Sequence, residues 1–227
     1  MGFFLFLLSK SCIIRVAKSL NMTSFSSINK VKLIACLLLV VVAIATTINP
    51  IYPSEQFLQH IGTLIISAVV LIDLKRNVLP KSVFLGVSLF ILIHIIGARW
   101  IYSNVPYEDW ANMLFGLELN SSRNHYDRFV HFSFGMLTLP YFHSLCSQLK
   151  IKNIVKVLIA WAIVQSLSVF YEVFEWQLTL WLSGDAAENY NGQQGDVWDA
   201  QKDMALAMLG ATLSAAYLLV FKKTKDS

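Results

Sequence analysis

Long apolar runs alternate with short polar breaks along most of this chain, and the runs are of a length that suits helices crossing a membrane. Leu33 to Ile48, Phe57 to Ile72, Val83 to Ala98, Phe129 to Cys146, Ile154 to about Trp176 and Ala205 to Phe221 are six such runs. Each approaches the roughly 20 residues that a helix needs to cross about 30 Å of hydrocarbon. The pattern predicts an all-α fold, a polytopic transmembrane helical bundle of about six helices. A membrane barrel would instead show segments of about 10 residues that alternate apolar and polar positions. The fifth run is long for one crossing: apolar character continues through QLTLWLSG to Gly184, so this span tilts, breaks or lies along the interface.

The start of the chain, MGFFLFLLSKSCIIRVAKSL, breaks the pattern. Its apolar run of six before Lys10 is too short for a signal-peptide core or a crossing. Residues 1–30 therefore read as a cytoplasmic or interfacial segment, with Ile13, Ile14, Val16 and Leu20 interleaved with cations as in an amphipathic surface helix. Residues 31–227 read as a single transmembrane domain, without internal repeat or linker. Cys12, Cys36 and Cys146 lack the spacing of a disulfide framework or a zinc ribbon and serve as small apolar residues.

Composition agrees: 56% of residues are hydrophobic and 14% charged, outside the range of an ordinary soluble domain. Charge adds the orientation. With the N-terminus inside, 14 of the 18 Lys and Arg residues fall on the cytoplasmic side, leaving Arg99, Arg123, Arg128 and Lys202 outside. That is the asymmetry retained by cytoplasmic loops, and an even number of spans returns the C-terminus to the cytoplasm too. Of the 14 carboxylates, 12 lie on the opposite, outward side, Asp73 and Asp226 being the exceptions. The net charge of +4 thus averages a basic face and an acidic one, and it implies no nucleic-acid partner.

The outward ends of the spans gather the candidate chemistry. GDVWDAQKDM sets Asp196, Asp199 and Asp203 three and four residues apart, on one helix face just before the last apolar run. One such acid is explained by the helix dipole; three aligned acids ask for more. NHYDRFVHFSFGML places Asp127 and Arg128 four and three residues before His131, so that carboxylate and imidazole share a face. FYEVFEWQ carries Glu172 and Glu175 in apolar surroundings, where an uncompensated charge is costly. LIHIIGARW contributes His94, a turn or two below the boundary, and Arg99, beside an aromatic belt of Trp100, Tyr102 and Tyr107. Intramembrane ionisable groups face a bundle interior or a cavity. The candidate polar site is therefore His94, Arg99, Asp127, Arg128, His131, Glu172, Glu175, Asp196, Asp199 and Asp203, with Asp127, His131, Glu172, Glu175 and Asp199 as possible metal ligands.

The strings NHYDRFVHFSFG, YEVFEWQ and GDVWDAQKDM, with IHIIGARWIYSNVP upstream, resemble the bacterial inner-membrane YjdF family, a domain of unknown function. The resemblance covers most of the chain after the first span and implies no established activity. A more distant likeness is to the VanZ-like membrane proteins, on Asp127, Arg128, His131 and Phe132, then Glu172 and Glu175, then Asp196, Asp199 and Gly210. Glu175 stands where that pattern has Gln. The likeness implies an envelope-associated role.

Three functions remain open on the sequence. The first is an outer-leaflet site for an envelope-lipid head group, with Arg128 and Arg99 on phosphate and the acids on a divalent metal ion. The second is a structural membrane protein whose polar groups lock its helices. The third is a proton- or cation-coupled transporter, disfavoured because the inner halves of the spans are nearly uncharged. Nothing matches a nucleophile elbow or an HExxH motif, so catalysis is not assigned.

Overall fold

The computed structural model describes residues 29–182 and 184–221. The expected surface helix at the N-terminus and the basic tail Lys222, Lys223 and Lys225 lie outside the described residues. Among the described residues eight α-helices run α1 (Lys30–Thr47), α2 (Pro53–Arg76), α3 (Lys81–Arg99), α4 (Tyr107–Phe115), α5 (Tyr126–Leu145), α6 (Asn153–Trp181), α7 (Gly184–Asn191) and α8 (Asp199–Phe221), with a 3-10 turn at Cys146–Gln148. α1, α2, α3, α6 and α8 are long and apolar enough to cross a membrane. α5 is long enough but too polar, for it carries Asp127, Arg128, His131 and His143. It can be polar because it is central, packed between α3 on one side and α6 and α8 on the other.

Local chemistry sets the ends of the helices. Asn29 caps α1, its side chain accepting from the Val31 N–H at 3.1 Å. Pro53 begins α2, where its missing N–H costs nothing. α2 stops at Asn77, which takes the left-handed conformation at φ 50° and donates its N–H to the Asp73 carbonyl. The ambiguous fifth run does not break: α6 continues for 29 residues to Trp181, about 43 Å of helix. It therefore tilts or projects beyond the hydrocarbon.

The long helices alternate in direction, giving the bundle a basic and an acidic end. At the basic end Lys32 of α1, almost wholly buried, donates to the Asp73 carboxylate of α2 at 2.6 Å and to the Leu79 carbonyl at 2.8 Å. Asp73 also accepts the Val78 and Leu79 N–H groups at 2.9 and 2.7 Å, and the Lys32 ammonium lies 5.1 Å from the Phe84 ring. At the acidic end, Arg99 at the close of α3 holds the carbonyls that finish α1.

Three apolar clusters build the interior. Cys36, Val70, Phe84, Val87, Ile91 and Ile95 join α1, α2 and α3. Leu139, Val157, Ala160, Val164, Ala211 and Leu218 join α5, α6 and α8. Phe90, Tyr102, Tyr126 and Val130 link the two halves. The contact that places the acids is between α5 and α8, whose backbones meet directly. A Cβ built on Gly135 would come within 1.9 Å of the Ala207 carbonyl oxygen, and one on Gly210 within 2.2 Å of that of Phe132. Glycine pairs permit such close approach in membranes. One turn before Gly135 lies His131, and two turns before Gly210 lies Asp203.

Candidate functional site

The α5–α8 contact brings the first turns of both helices against α6, and their polar residues meet in the interior. The donor atoms of Asp127, His131 and Asp203 all lie within 4.8 Å of one another, and all three residues are buried. Glu172 of α6 lies on the other side of the ring: its Oε1 is 3.5 Å from His131 Nδ1, while Asp127 Oδ1 is 3.7 Å from His131 Nε2. Neither separation is a good hydrogen bond. Among the described residues, Glu172 Oε1 and Asp203 Oδ1 have no hydrogen-bond partner. Both belong to side chains more than nine-tenths buried.

An arginine layer covers this group. Arg123 donates to Asp199 Oδ1 at 2.5 Å and to the Gln193 carbonyl at 2.5 Å. Arg128 binds Asp196 Oδ2 at 2.5 Å and reaches Asp199 at 3.5 Å. Asp196 also takes Lys202 at 2.5 Å and the Trp198 N–H at 3.1 Å. The Lys202 ammonium above all, with the Trp198 amide and Arg128, holds the Asp196 carboxyl down at about 2. The loop preceding α8 is fastened to the loop preceding α5 by a reciprocal pair, Asn124 N–H to Gln194 Oε1 and Gln194 Nε2 to the Asn124 carbonyl, at 2.9 and 3.0 Å.

Of the residues singled out in the sequence, the structure gathers Asp127, Arg128, His131, Glu172, Glu175, Asp196, Asp199 and Asp203 at this end. Two stand apart. Arg99 turns to the Thr46 and Ile48 carbonyls at 2.7 and 3.1 Å and stacks on Trp100, away from the acids. His94 has both nitrogens engaged: Nε2 lies 3.3 Å from the Gln59 carbonyl, which only accepts, so Nε2 carries the proton and Nδ1 accepts from the Tyr102 hydroxyl. The group of closely spaced donor atoms is not the set expected as metal ligands. Asp203 lies in the inner group, whereas Asp199 is held by the two arginines, because its position at the first turn of α8 faces the covering loops.

Four contributors were not singled out beforehand. Arg123 figured only as an outward cation, although an outer face so rich in acids calls for such a partner. Tyr171, beside Glu175 and Tyr190, and Asn191, whose amide donates to the Glu175 carbonyl oxygen at 3.3 Å, carry no sequence signal. Tyr102 was read as part of an aromatic belt, yet it is buried. Ile101 and Tyr102 both adopt left-handed backbone, φ 46° and 56°, an unusual pairing for residues with large side chains. The turn drives the Tyr102 ring onto Gly97, where a Cβ would be 2.6 Å away. Burial, reinforced by the Asp127 carboxylate, holds the Tyr102 phenol well above its usual range, so it stays a proton donor.

Residues 31–224 match the family described as "Predicted membrane protein (DUF2238)". The chain belongs to that family. The DUF2238 region takes in every described helix except the first residue of α1. A relative, the "Inner membrane protein YjdF" of Escherichia coli (strain K12), is 26% identical over 190 residues, covering 82% of this chain and 88% of its own. No solved structure matches. This DUF2238 member is thus a multi-pass membrane protein, and the VanZ-like likeness rests on its quoted residues alone.

Proposed function

We propose that this protein holds a divalent cation between α5, α6 and α8, at the outer face of the inner membrane, as part of a site for an envelope-lipid head group. One observation carries the reading: Asp127, His131 and Asp203 converge in the protein interior, with Asp203 Oδ1 left without a hydrogen bond among the described residues. Carboxylates buried in this way are expensive unless a cation compensates them. Donor atoms about 2.1 Å from a common ion stand roughly 3 to 3.5 Å apart, so three donors within 4.8 Å of one another draw together by up to about 1.8 Å to hold one. Oxygen donors with a single imidazole suit Mn²⁺ or Zn²⁺ better than Ca²⁺.

The inner membrane is supported by the relative's name, and the outward placing of the acids by the basic residues at the other end. Among the described residues Asp73 is the one carboxylate at that end, which favours a local site over a path through the membrane. Metal analysis of the purified chain tests the reading. About one equivalent of Mn²⁺ or Zn²⁺ is expected, lost in Asp203→Asn at unchanged protein yield. A metal-free wild type that still carries none after incubation with either ion would refute it.

A further inference from the structure

Beside the buried acids lies a cleft of about 320 Å³ between α6 and the start of α8. Glu172, Glu175 and Asp199 line its polar side, with Asn191 and Gln193 above them. Its wall is apolar: Val169, Val173, Trp176 and Met204. Val169, Val173 and Trp176 are exposed on the flank of a membrane-spanning helix, so the cleft opens sideways toward lipid.

The depth is that of a lipid head. Six residues of α6 follow Glu175, about 9 Å of helix, before its acidic end at Trp181. Val169 and Met204 lie deeper than the acids, because α6 runs toward the acidic end and α8 away from it. A molecule seated here has its head among carboxylates and its tail along the valines.

Charge decides which head. Arg123, Arg128 and Lys202 are committed to Asp196 and Asp199. Among the described residues, Asp127 and Glu172 then have His131 as their one ion-pair partner and Asp203 and Glu175 have none, Glu175 accepting from the Tyr171 hydroxyl, and one divalent ion answers two of these four charges. The acids bordering the cleft still seek a cation. Glu172 lines the cleft with its side chain, its Oε1 turned inward to 3.5 Å from His131 Nδ1 without a hydrogen-bond partner among the described residues. Trp176 adds an aromatic ring to the same lining, a side chain suited to a cation. A head with a phosphate and no ammonium would meet carboxylates while Arg123 and Arg128, the arginines nearest the cleft among the described residues, are held by Asp199 and Asp196.

We infer that this cleft admits, from the outer leaflet, a phospholipid whose head ends in a primary ammonium, the ammonium lying between Glu172 and Glu175 and an acyl chain along Val169 and Val173. The inference rests on reading the acidic end as a ligand site, and on nothing about which metal it holds.

The test is native mass spectrometry of the full chain, delipidated in detergent and offered dimyristoyl phosphatidylethanolamine or dimyristoyl phosphatidylglycerol. The ethanolamine lipid should be retained about tenfold better, the effect of one or two charge-assisted hydrogen bonds. Glu175→Gln should abolish that preference. Val173→Trp, which fills the wall and leaves every carboxylate in place, should weaken retention of both lipids. Equal or better binding of phosphatidylglycerol, or indifference to Glu175→Gln in protein that still elutes as a single species, overturns the inference. Free ethanolamine displacing the lipid completely at millimolar concentration would also overturn it, since the amine alone would then be the ligand. Metal content measured on the same samples separates the two readings: lipid selectivity without metal removes the cation centre and leaves the cleft, and metal without selectivity does the reverse.

Discussion

Arg123 shows how much of this site depends on single side chains. It comes from a loop, yet its guanidinium joins the Gln193 carbonyl to the nearly buried Asp199 carboxylate. Arg123→Ala should cost roughly 2 to 3 kcal/mol, at or below the bottom of the range for a broken buried pair because Arg128 stays 3.5 Å from Asp199. Thermal unfolding in detergent reads the loss, and adding Asp199→Asn should recover part of it; no recovery would mean that Arg123 acts elsewhere. Asp196 gives a pH signature. Its folded value, about 2, lies below the unfolded value near 4, so its contribution to stability is complete above about pH 4 and vanishes as the pH falls through 2. The difference in Tm between wild type and Asp196→Asn should therefore hold steady down to about pH 4 and shrink below it. The acids themselves were legible because three- and four-residue spacing survives folding. Arg123 and Tyr102 were not, since loop backbone, left-handed at Tyr102, decides where they point.

Among the elements, α5 and α8 matter most. Their contact through Gly135 and Gly210 sets the distance between the faces carrying Asp127 and His131 on one helix and Asp203 on the other. Gly135→Ala would put a methyl group 1.9 Å from a carbonyl oxygen, and the helices must part by about 1 Å or more to relieve it. Stability should fall by about 1 to 3 kcal/mol, and metal binding should fall further than stability explains. Gly86→Ala is the control, since its added carbon sits at 3.4 Å from the Leu137 carbonyl. Equal metal content in the two variants would count against the close crossing as the device that builds the site. The apolar periods of the sequence located these helices well. They could not say that α5, the one of the six long helices without an apolar stretch fit to cross a membrane, is the central one, because hydropathy reports whether a segment tolerates lipid and not which neighbours shield it.

At the scale of the whole molecule, both described chain ends lie at the basic end, where α1 begins and α8 finishes. A periplasm-active reporter fused after Ser227 should be silent, and a cytoplasm-active one bright; the opposite result would reverse the bundle and place the acids inside. The buried pair of Lys32 and Asp73 then bears on the order in which the protein is made. Lys32 leaves the ribosome 41 residues before its partner, and until Asp73 arrives its ammonium has no place in hydrocarbon. The first span must wait with that residue in interfacial water and settle only as α2 completes a hairpin. Lys32→Met, which removes the wait but strands a buried carboxylate, should insert readily and stall at assembly, whereas Lys32→Met with Asp73→Asn should pass both steps, the two being distinguishable by membrane integration and by protease resistance during synthesis.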